Sequence, residues 1–290
     1  MSFKDPKAIA KAGVEKGAEK AHLSWDKALV AGFLAGAYIA FGALVAITTS
    51  SGLDPARWGS LATLFAGATF SLGLILVVIA GSELLTGNMA LVPLAAFRRR
   101  ATLGELLHNF GFVLLGNLLG SLFVAYFLAV KTGVVTAELQ LDRLTELAMA
   151  KGVKETELQI FLRAVGCNWL VCLAVWMAFA ADDVGGKILA IFFPIMAFVA
   201  LGFDHVVANM FFLPAAIFAG VDGLTWWDAI HNWIFAFLGN LVGASIFVAG
   251  AYWYLYARED DAPAQPAAGD TPRTDGRFAR DADGEVAARR

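Results

Sequence analysis

Residues 81–97 read GSELLTGNMALVPLAAF, and residues 202–218 read GFDHVVANMFFLPAAIF. At a constant offset of 121 the glycines match (Gly81, Gly202), as do the acids (Glu83, Asp204). The Asn-Met pairs (Asn88-Met89, Asn209-Met210), the prolines (Pro93, Pro214) and the closing Phe97 and Phe218 match too. Both copies lie inside long apolar stretches. Polar, turn-prone residues at corresponding places in two membrane segments mark a pair of broken helices around a transport pathway.

The surroundings of the motif are those of a membrane protein. Of 290 residues, 59% are hydrophobic and 16% charged, with a mean hydropathy of +0.66. A water-soluble domain cannot hide that much apolar surface. The net charge of −3 offers no nucleic-acid surface. Cys167 and Cys172 share one apolar segment at neither a zinc nor a CxxC spacing, which reads as core packing. The lysine-rich N-terminus has no apolar run before Trp25. It reads as a cytoplasmic amphipathic helix over 1–27, not a cleavable signal peptide. Residues 257–290 are rich in Ala, Asp, Pro and Arg and read as a disordered cytoplasmic tail. That leaves 28–256 as the membrane domain.

Six apolar segments occupy this domain, at about 28–49, 60–97, 106–130, 160–181, 188–221 and 231–256. A bilayer core of about 30 Å needs roughly 20 helical residues. The second and fifth segments are too long, since unbroken helices there would measure over roughly 50 Å. Each must break, and each carries the motif. Irregular backbone in hydrocarbon is tolerated only where protein or a water-filled cavity covers it, so the breaks face inward.

The repeat extends further. HNFGFVLLGNLLG at 108–120 matches HNWIFAFLGNLVG at 231–243 at offset 123. Each half is therefore helix, broken helix, helix. Three spans is an odd number, so the second half enters from the opposite side. The expected fold is an all-α integral membrane protein, six transmembrane helices in two inverted three-helix repeats with broken second and fifth helices. Lysines before the first span and Arg98-Arg99-Arg100 after the second put both termini in the cytoplasm of a cell whose plasma membrane holds the protein. The 132–159 connection, on the outer side, reads as a surface helix.

Glu83 and Asp204 are the acids inside the two long segments. An intramembrane acid defaults to a functional hypothesis. A structural alternative stands beside it: each carboxylate caps freed backbone N–H groups at its break. Asn88 and Asn209 belong to the same support. His205 is sharper, because its partner in the repeat is Leu84 and symmetry does not explain it. An imidazole titrates near neutral pH and donates to an anion in either protonation state. No second His or Cys lies at ligand spacing, so neither metal nor cofactor is implied. Thr86, Gly87 and Asn88 form the polar stretch of the first break. Half-helices restarting after Thr86 and after Val206 would aim their partly positive ends at the centre, which favours an anion. Asn117, Asn168 and Asn240 line a lumen or bond between helices, and both readings are open.

ELLTGNM (83–89), RAVGCNWLVCLAVWM (163–177), GFDHVVANMF (202–211) and GNLVG (239–243) occur in this order across the spans. With them the chain resembles the formate/nitrite transporter family over about residues 20–256. The resemblance implies an aquaporin-like helical fold, a homopentamer in the lipid bilayer with one pore per protomer, and a path for small monovalent anions. Formate and nitrite come first, with hydrosulfide or short monocarboxylates such as acetate and lactate as alternatives. It implies that translocation involves His205, Thr86, Asn168 and Asn240. It places apolar constrictions at Phe70, Leu74 and Leu84 on one side of the centre, and at Phe198 and Val171 on the other. The acid before the histidine is often Glu and is Asp204 here, a shorter reach that alters how the histidine is polarised. A vestibule lysine falls on Lys151 or Lys154.

On this reading His205, the half-helix ends and Thr86 offset part of an anion's desolvation cost. His205 can also share a proton, so that a neutral acid crosses the apolar ring. A neutral-solute conduit for water or ammonia is the rival within transport. The spans hold no serine–histidine or metal-ligand set, which points away from an enzyme.

Overall fold

A computed structural model of the chain describes residues 3–258. Helix α1 runs Pro6–Ala21. Asp5 accepts the Ala8 N–H, and Pro6 takes a first-turn position where its missing N–H costs nothing. Helix α2 covers Trp25–Ser50, a short α3 covers Pro55–Trp58, and α4 covers Leu61–Leu76 before a π-helical turn carries it to Gly81. Then follow α5 (Leu85–Phe97) and α6 (Leu103–Phe123), which continues to Val130. The second half comprises α7 (Glu138–Met149), α8 (Glu157–Ala180), α9 (Val184–Ala200), α10 (Val206–Phe218) and α11 (Trp226–Ala244), the last continuing to Ala257. Among the described residues there is no strand, only an isolated bridge between Phe3 and Ala181. All but two residues of the tail expected over 257–290 lie outside the described residues.

The two long segments break as their length requires. The first is interrupted at Ser82–Leu84 and the second at Leu201–His205. Gly81 (φ +84°) and Gly202 (φ +70°) open the two breaks in a left-handed conformation that only glycine adopts without strain. The restart of the first half-helix differs from expectation. It begins at Leu85, so Thr86, Gly87 and Asn88 sit in the first turn of α5 and not in the break. The second restarts at Val206 with His205 as its N-cap.

The third span of each half starts on the same device. Thr102 and Glu105 form a capping box at α6, and Thr225 and Asp228 form its copy at α11. Thr156 and Gln159 form another at α8.

Packing repeats in the same way. α2 lies against α6 and α4, α8 lies against α11 and α9, and α4 meets α9 between the halves. α1 packs on α5 and α8, while α7 packs on α10 and α2. The N-terminal helix and the helix in the 132–159 connection are therefore counterparts. Each half is one element longer than the three spans the sequence suggested.

The inversion is visible at the ends. Lys4 pairs with Asp182 at 3.1 Å, putting the start of the chain at the α8–α9 turn. Arg98, after α5, donates to the Ala257 carbonyl at the end of the last span. Connections of the first half thus share a side with span ends of the second. The outer faces carry exposed Phe65, Leu72, Leu115, Leu119, Ile234 and Leu238, as a lipid-facing surface must.

Candidate functional site

A break in hydrocarbon strands backbone groups, each worth several kcal/mol if left unbonded. Two asparagines from the third spans satisfy them. Asn117 Oδ1 accepts the Leu85 N–H at 3.0 Å, while its Nδ2 donates to the Gly32 and Glu83 carbonyls at 2.8 and 2.9 Å. Asn240 Oδ1 accepts the Val206 N–H at 2.9 Å, while its Nδ2 donates to the Ala164 and Asp204 carbonyls, both at 2.9 Å. Of the two readings for these residues the structure takes interhelical bonding. Asn240 was also expected among the translocation residues, yet both ends of its amide are bound to backbone.

The acids do something else. Glu83 receives Lys20 Nζ on both oxygens at 2.8 Å, and Asn88 Nδ2 at 2.8 Å. Asn88 Nδ2 also donates to Asn109 Oδ1 at 2.9 Å, and Asn109 Nδ2 returns to the Lys20 carbonyl at 2.7 Å. The second half repeats the circuit. Lys151 Nζ lies 2.9 Å from Asp204 Oδ1, and Asn209 Nδ2 donates to Asp204 Oδ1 and Asn232 Oδ1, each at 2.8 Å. Asn232 Nδ2 donates to the Lys151 carbonyl at 3.0 Å. The expectation that the acids cap the restarting helices is therefore corrected. Each is the counter-ion of a buried lysine; the first N–H of each restarting helix goes to an asparagine from α6 or α11, and His205 itself caps the Ala208 N–H.

Lys20 escaped the sequence reading, and Lys151 could not be separated from Lys154. The signal lies in the caps. Lys20 precedes the cap residue Ser24 by four residues and Lys151 precedes Thr156 by five. The extra residue is absorbed by the π turn Ala150–Lys154, which defeats a gap-free comparison. Lys154 is exposed, whereas Lys151 is buried against Asp204.

His205 stands where the halves meet. Its Nδ1 accepts the Ala208 N–H at 3.1 Å, so the ring nitrogen left to carry the proton is Nε2. Nε2 lies 2.9 Å from Thr86 Oγ1. With the hydroxyl oxygen accepting from the ring, the Thr86 O–H proton is free to point elsewhere. Asn168 Nδ2 donates to the Thr86 carbonyl at 3.1 Å and to the Asn240 carbonyl at 2.8 Å, and Cys172 Sγ lies 3.3 Å from the Thr86 carbonyl. His205 bonds neither through nor to the Asp204 carboxylate. The shorter acid instead changes the geometry at Lys151: Glu83 grips its lysine with both oxygens, Asp204 with one.

The carbonyls that Asn117 and Asn240 hold on α2 and α8 (Gly32, Ala164) set an offset of 132 between these helices. By that offset Asn168 replaces Gly36 and Cys172 replaces Ala40; at offset 121 His205 replaces Leu84 and Thr86 replaces Val207. The departures from symmetry converge on one point.

Two cavities flank it. One of about 390 Å³ is lined by Lys16, Lys20, Lys27, Lys187, Leu74 and Leu84. The other, of about 210 Å³, is lined by Lys151, Phe70, Phe198, Phe203 and His205. Phe70 and Phe198 meet edge to face with ring centroids 5.6 Å apart, and Phe198 stacks over His205 at 6.0 Å. Phe70 had been grouped with Leu74 and Leu84; it belongs instead with Phe198. Val171 is buried on α8 and lines neither of these two cavities. From one cavity to the other the order of residues is Lys20, Leu74 and Leu84, Thr86 and His205, Phe198 and Phe70, Lys151.

Inverted repeats, helices broken at mid-membrane and a polar centre between apolar collars define a multi-span membrane transport protein. Comparison with known proteins agrees. A family model described as formate/nitrite transporter matches residues 7–254. The chain is 50% identical over 275 residues to a probable formate transporter of Methanothermobacter thermautotrophicus, covering 89% of this chain and 99% of that one. A solved FNT family ion channel superposes with a TM-score of 0.79 at 33% identity, covering 85% of this chain and 98% of that one. A solved pentameric formate channel with formate bound gives 0.71 at 30%, covering 80% and 98%. The chain belongs to the formate/nitrite transporter family.

Proposed function

We propose that this protein conducts small monovalent anions, formate or nitrite first among them, through one shaft per protomer of a homopentamer in the plasma membrane. The carrying observation is the bond between His205 and Thr86, set between two apolar collars. The neutral imidazole donates its one N–H, at Nε2, to the Thr86 hydroxyl oxygen, which leaves the Thr86 O–H as the donor to an anion. The Lys20 and Lys151 cavities form approaches from either side, each with an ion-paired lysine in or beside its wall. Lys27 and Lys187 at the rim of the Lys20 cavity add charge that draws anions in. The names of the relatives point to formate, and a pentameric relative supports the assembly. The lysines and Arg98-Arg99-Arg100 on the Lys20 side support a cytoplasmic position for that mouth.

Proton sharing with the anion passes through His205 in this reading. The ring gives up its Nε2 proton only when Nδ1 gains one, which requires Nδ1 to release the Ala208 N–H. The centre therefore acts first as a donor to the anion and second as a proton carrier. Purified protein in liposomes, offered formate, nitrite and hydrosulfide in competition at two pH values, tests this. Anion-dependent current or swelling supports the reading. Water or ammonia permeation without anion flux would replace it with a neutral-solute conduit.

A further inference from the structure

The two lysine circuits differ at one place. The residue before the cap of α2 is Leu23, and the residue before the cap of α8 is Glu155. Glu155 and Asp204 lie within hydrogen-bonding reach of each other. The Asp204 side chain is fully buried, and that of Glu155 is 7% exposed. Asp204 Oδ1 takes Lys151 and Asn209, and Glu155 Oε1 takes Arg163. The remaining oxygens, Asp204 Oδ2 and Glu155 Oε2, are buried and have no N–H or hydroxyl partner. Two bare carboxylate oxygens buried side by side repel each other, and a proton shared between them removes that cost.

We propose that Glu155 and Asp204 form a one-proton binding site beside Lys151 that sets the charge of that vestibule, independently of His205. The role of that charge in anion entry rests on the transport reading; the proton site does not.

The one-oxygen grip of Asp204 on Lys151 acquires a reason here, because the second oxygen faces Glu155. Burial, then the charge and hydrogen bond of Asp204, push the Glu155 carboxyl up to about 7 against the opposing pull of Lys151 and Arg163. The charged groups acting on Glu155 are Asp204 from the break, Arg163 from α8 and Lys151 from its own segment. Arg143 and Glu146 of α7 line the same cavity and pair with each other. With the proton bound, Lys151, Arg163, Asp204 and Glu155 sum to one positive charge. Without it they sum to zero. An acidic medium on the Lys151 side therefore makes the vestibule attractive to an anion, and an alkaline medium removes the attraction. One unit charge at roughly 8 Å, at an effective dielectric constant of about 40, changes local anion occupancy about five-fold. The Lys20 cavity, with Leu23 at the matching place, has no such response.

The test is infrared difference spectroscopy on the full chain between pH 6 and pH 8. The expected result is a protonated-carboxyl C=O band titrating near 7 in the wild type, absent in Glu155→Gln, and still present in His205→Asn. Gln keeps the shape of the protonated acid and donates from its amide to Asp204, so this variant retains the circuit and fixes it in its proton-bound charge state. Arg163→Gln removes an opposing cation and moves the midpoint up by about one pH unit. No such band in the wild type, a band that survives Glu155→Gln, or a midpoint that ignores Arg163→Gln overturns the proposal. None of these readouts needs transport, so a protein that binds the proton yet passes no anion separates the two claims. If anions do pass, Glu155→Gln flux should lose about five-fold of its dependence on pH at the Lys151 side.

Discussion

His205 Nε2 lies 2.9 Å from Thr86 Oγ1, and this bond joins the two copies of the repeat at the very position where they differ. His205 does two jobs at once, since Nδ1 caps α10 through the Ala208 N–H. The jobs are separable. Asparagine is a good N-cap but too short to reach Thr86, so His205→Asn should keep the helix cap and lower stability by about 1–3 kcal/mol, the cost of the buried Thr86 hydroxyl losing its partner. It should nonetheless lower anion flux by at least about tenfold, the worth of a lost hydrogen bond to a charged group. His205→Phe should lose both functions and also alter anion discrimination and pH response. Thermal unfolding in detergent and liposome flux, measured on both variants, separate the roles. Wild-type selectivity and pH profile in His205→Phe would remove the histidine from the mechanism.

Each buried lysine neutralises an acid that hydrocarbon would otherwise not tolerate. Lys20→Met leaves the buried Glu83 bonded to Asn88 but without its ion-pair partner, and removing one partner of a buried pair costs about 3–5 kcal/mol. The double change Lys20→Met with Glu83→Gln should recover much of this, because the amide is neutral and still bonds Asn88. Unfolding midpoints of the single and double variants check it. A single variant as stable as wild type would show that the pair contributes nothing net. Lys151→Met should be milder, because Arg163 remains at the site and a proton can settle on the Glu155–Asp204 pair.

The broken helices were legible because GSELLTGNM and GFDHVVANM place polar residues in stretches too long to span once. The His205/Leu84 contrast was legible from the same alignment. The capping of the breaks was not. Local sequence puts the acids Glu83 and Asp204 close to each helix restart, one residue short of the N-cap positions held by Leu84 and His205, while the partners of the first N–H groups, Asn117 and Asn240, lie 32 and 34 residues away along the chain. Nothing local reports such a contact. Lys20 was hidden by the one-residue π insertion near Lys151. Glu155 was hidden because its significance rests on a carboxylate 49 positions further on, brought near by the packing of α9 back along α8. The place of Phe70 was misjudged because the face a residue presents in a mostly apolar helix has no polar contrast to mark it.

The capping asparagines should act on stability in both halves alike. Asn117→Leu strands the Leu85 N–H and two carbonyls, and Asn240→Leu strands the Val206 N–H and two carbonyls. At about 1–3 kcal/mol per buried unbonded group, either change should abolish or severely reduce the folded population. Asn117→Asp and Asn240→Asp keep the acceptor and, when protonated, one donor, so both should be intermediate at low pH and worsen as the buried acid ionises beside two carbonyls. Expression and size-exclusion profiles of the four variants check the order. A folded Asn240→Leu with unfolded Asn117→Leu would break the claimed equivalence of the halves.

Phe70 and Phe198 close the Lys151 side of the shaft edge to face, and Leu74 and Leu84 line the cavity on the other side. In the proposed pathway each collar is apolar, so an anion crossing it would shed water with little return, and the narrower collar would control which anions pass. Phe70→Ala removes one ring from the contact and leaves His205, Thr86 and both lysine circuits intact. Deleting a buried aromatic ring costs about 3–5 kcal/mol of stability, less where water can enter the space. The adjoining cavity already opens on polar groups, so here water should enter. Flux of acetate should therefore rise relative to formate, because the widened collar admits the methyl group and lets water accompany the charge. Val171→Ala, which lines neither cavity, should leave that ratio near wild type. Stopped-flow measurement of formate and acetate entry into liposomes checks both variants. An unchanged acetate-to-formate ratio in Phe70→Ala would move the selective step away from the Phe70–Phe198 collar, to Leu74 and Leu84.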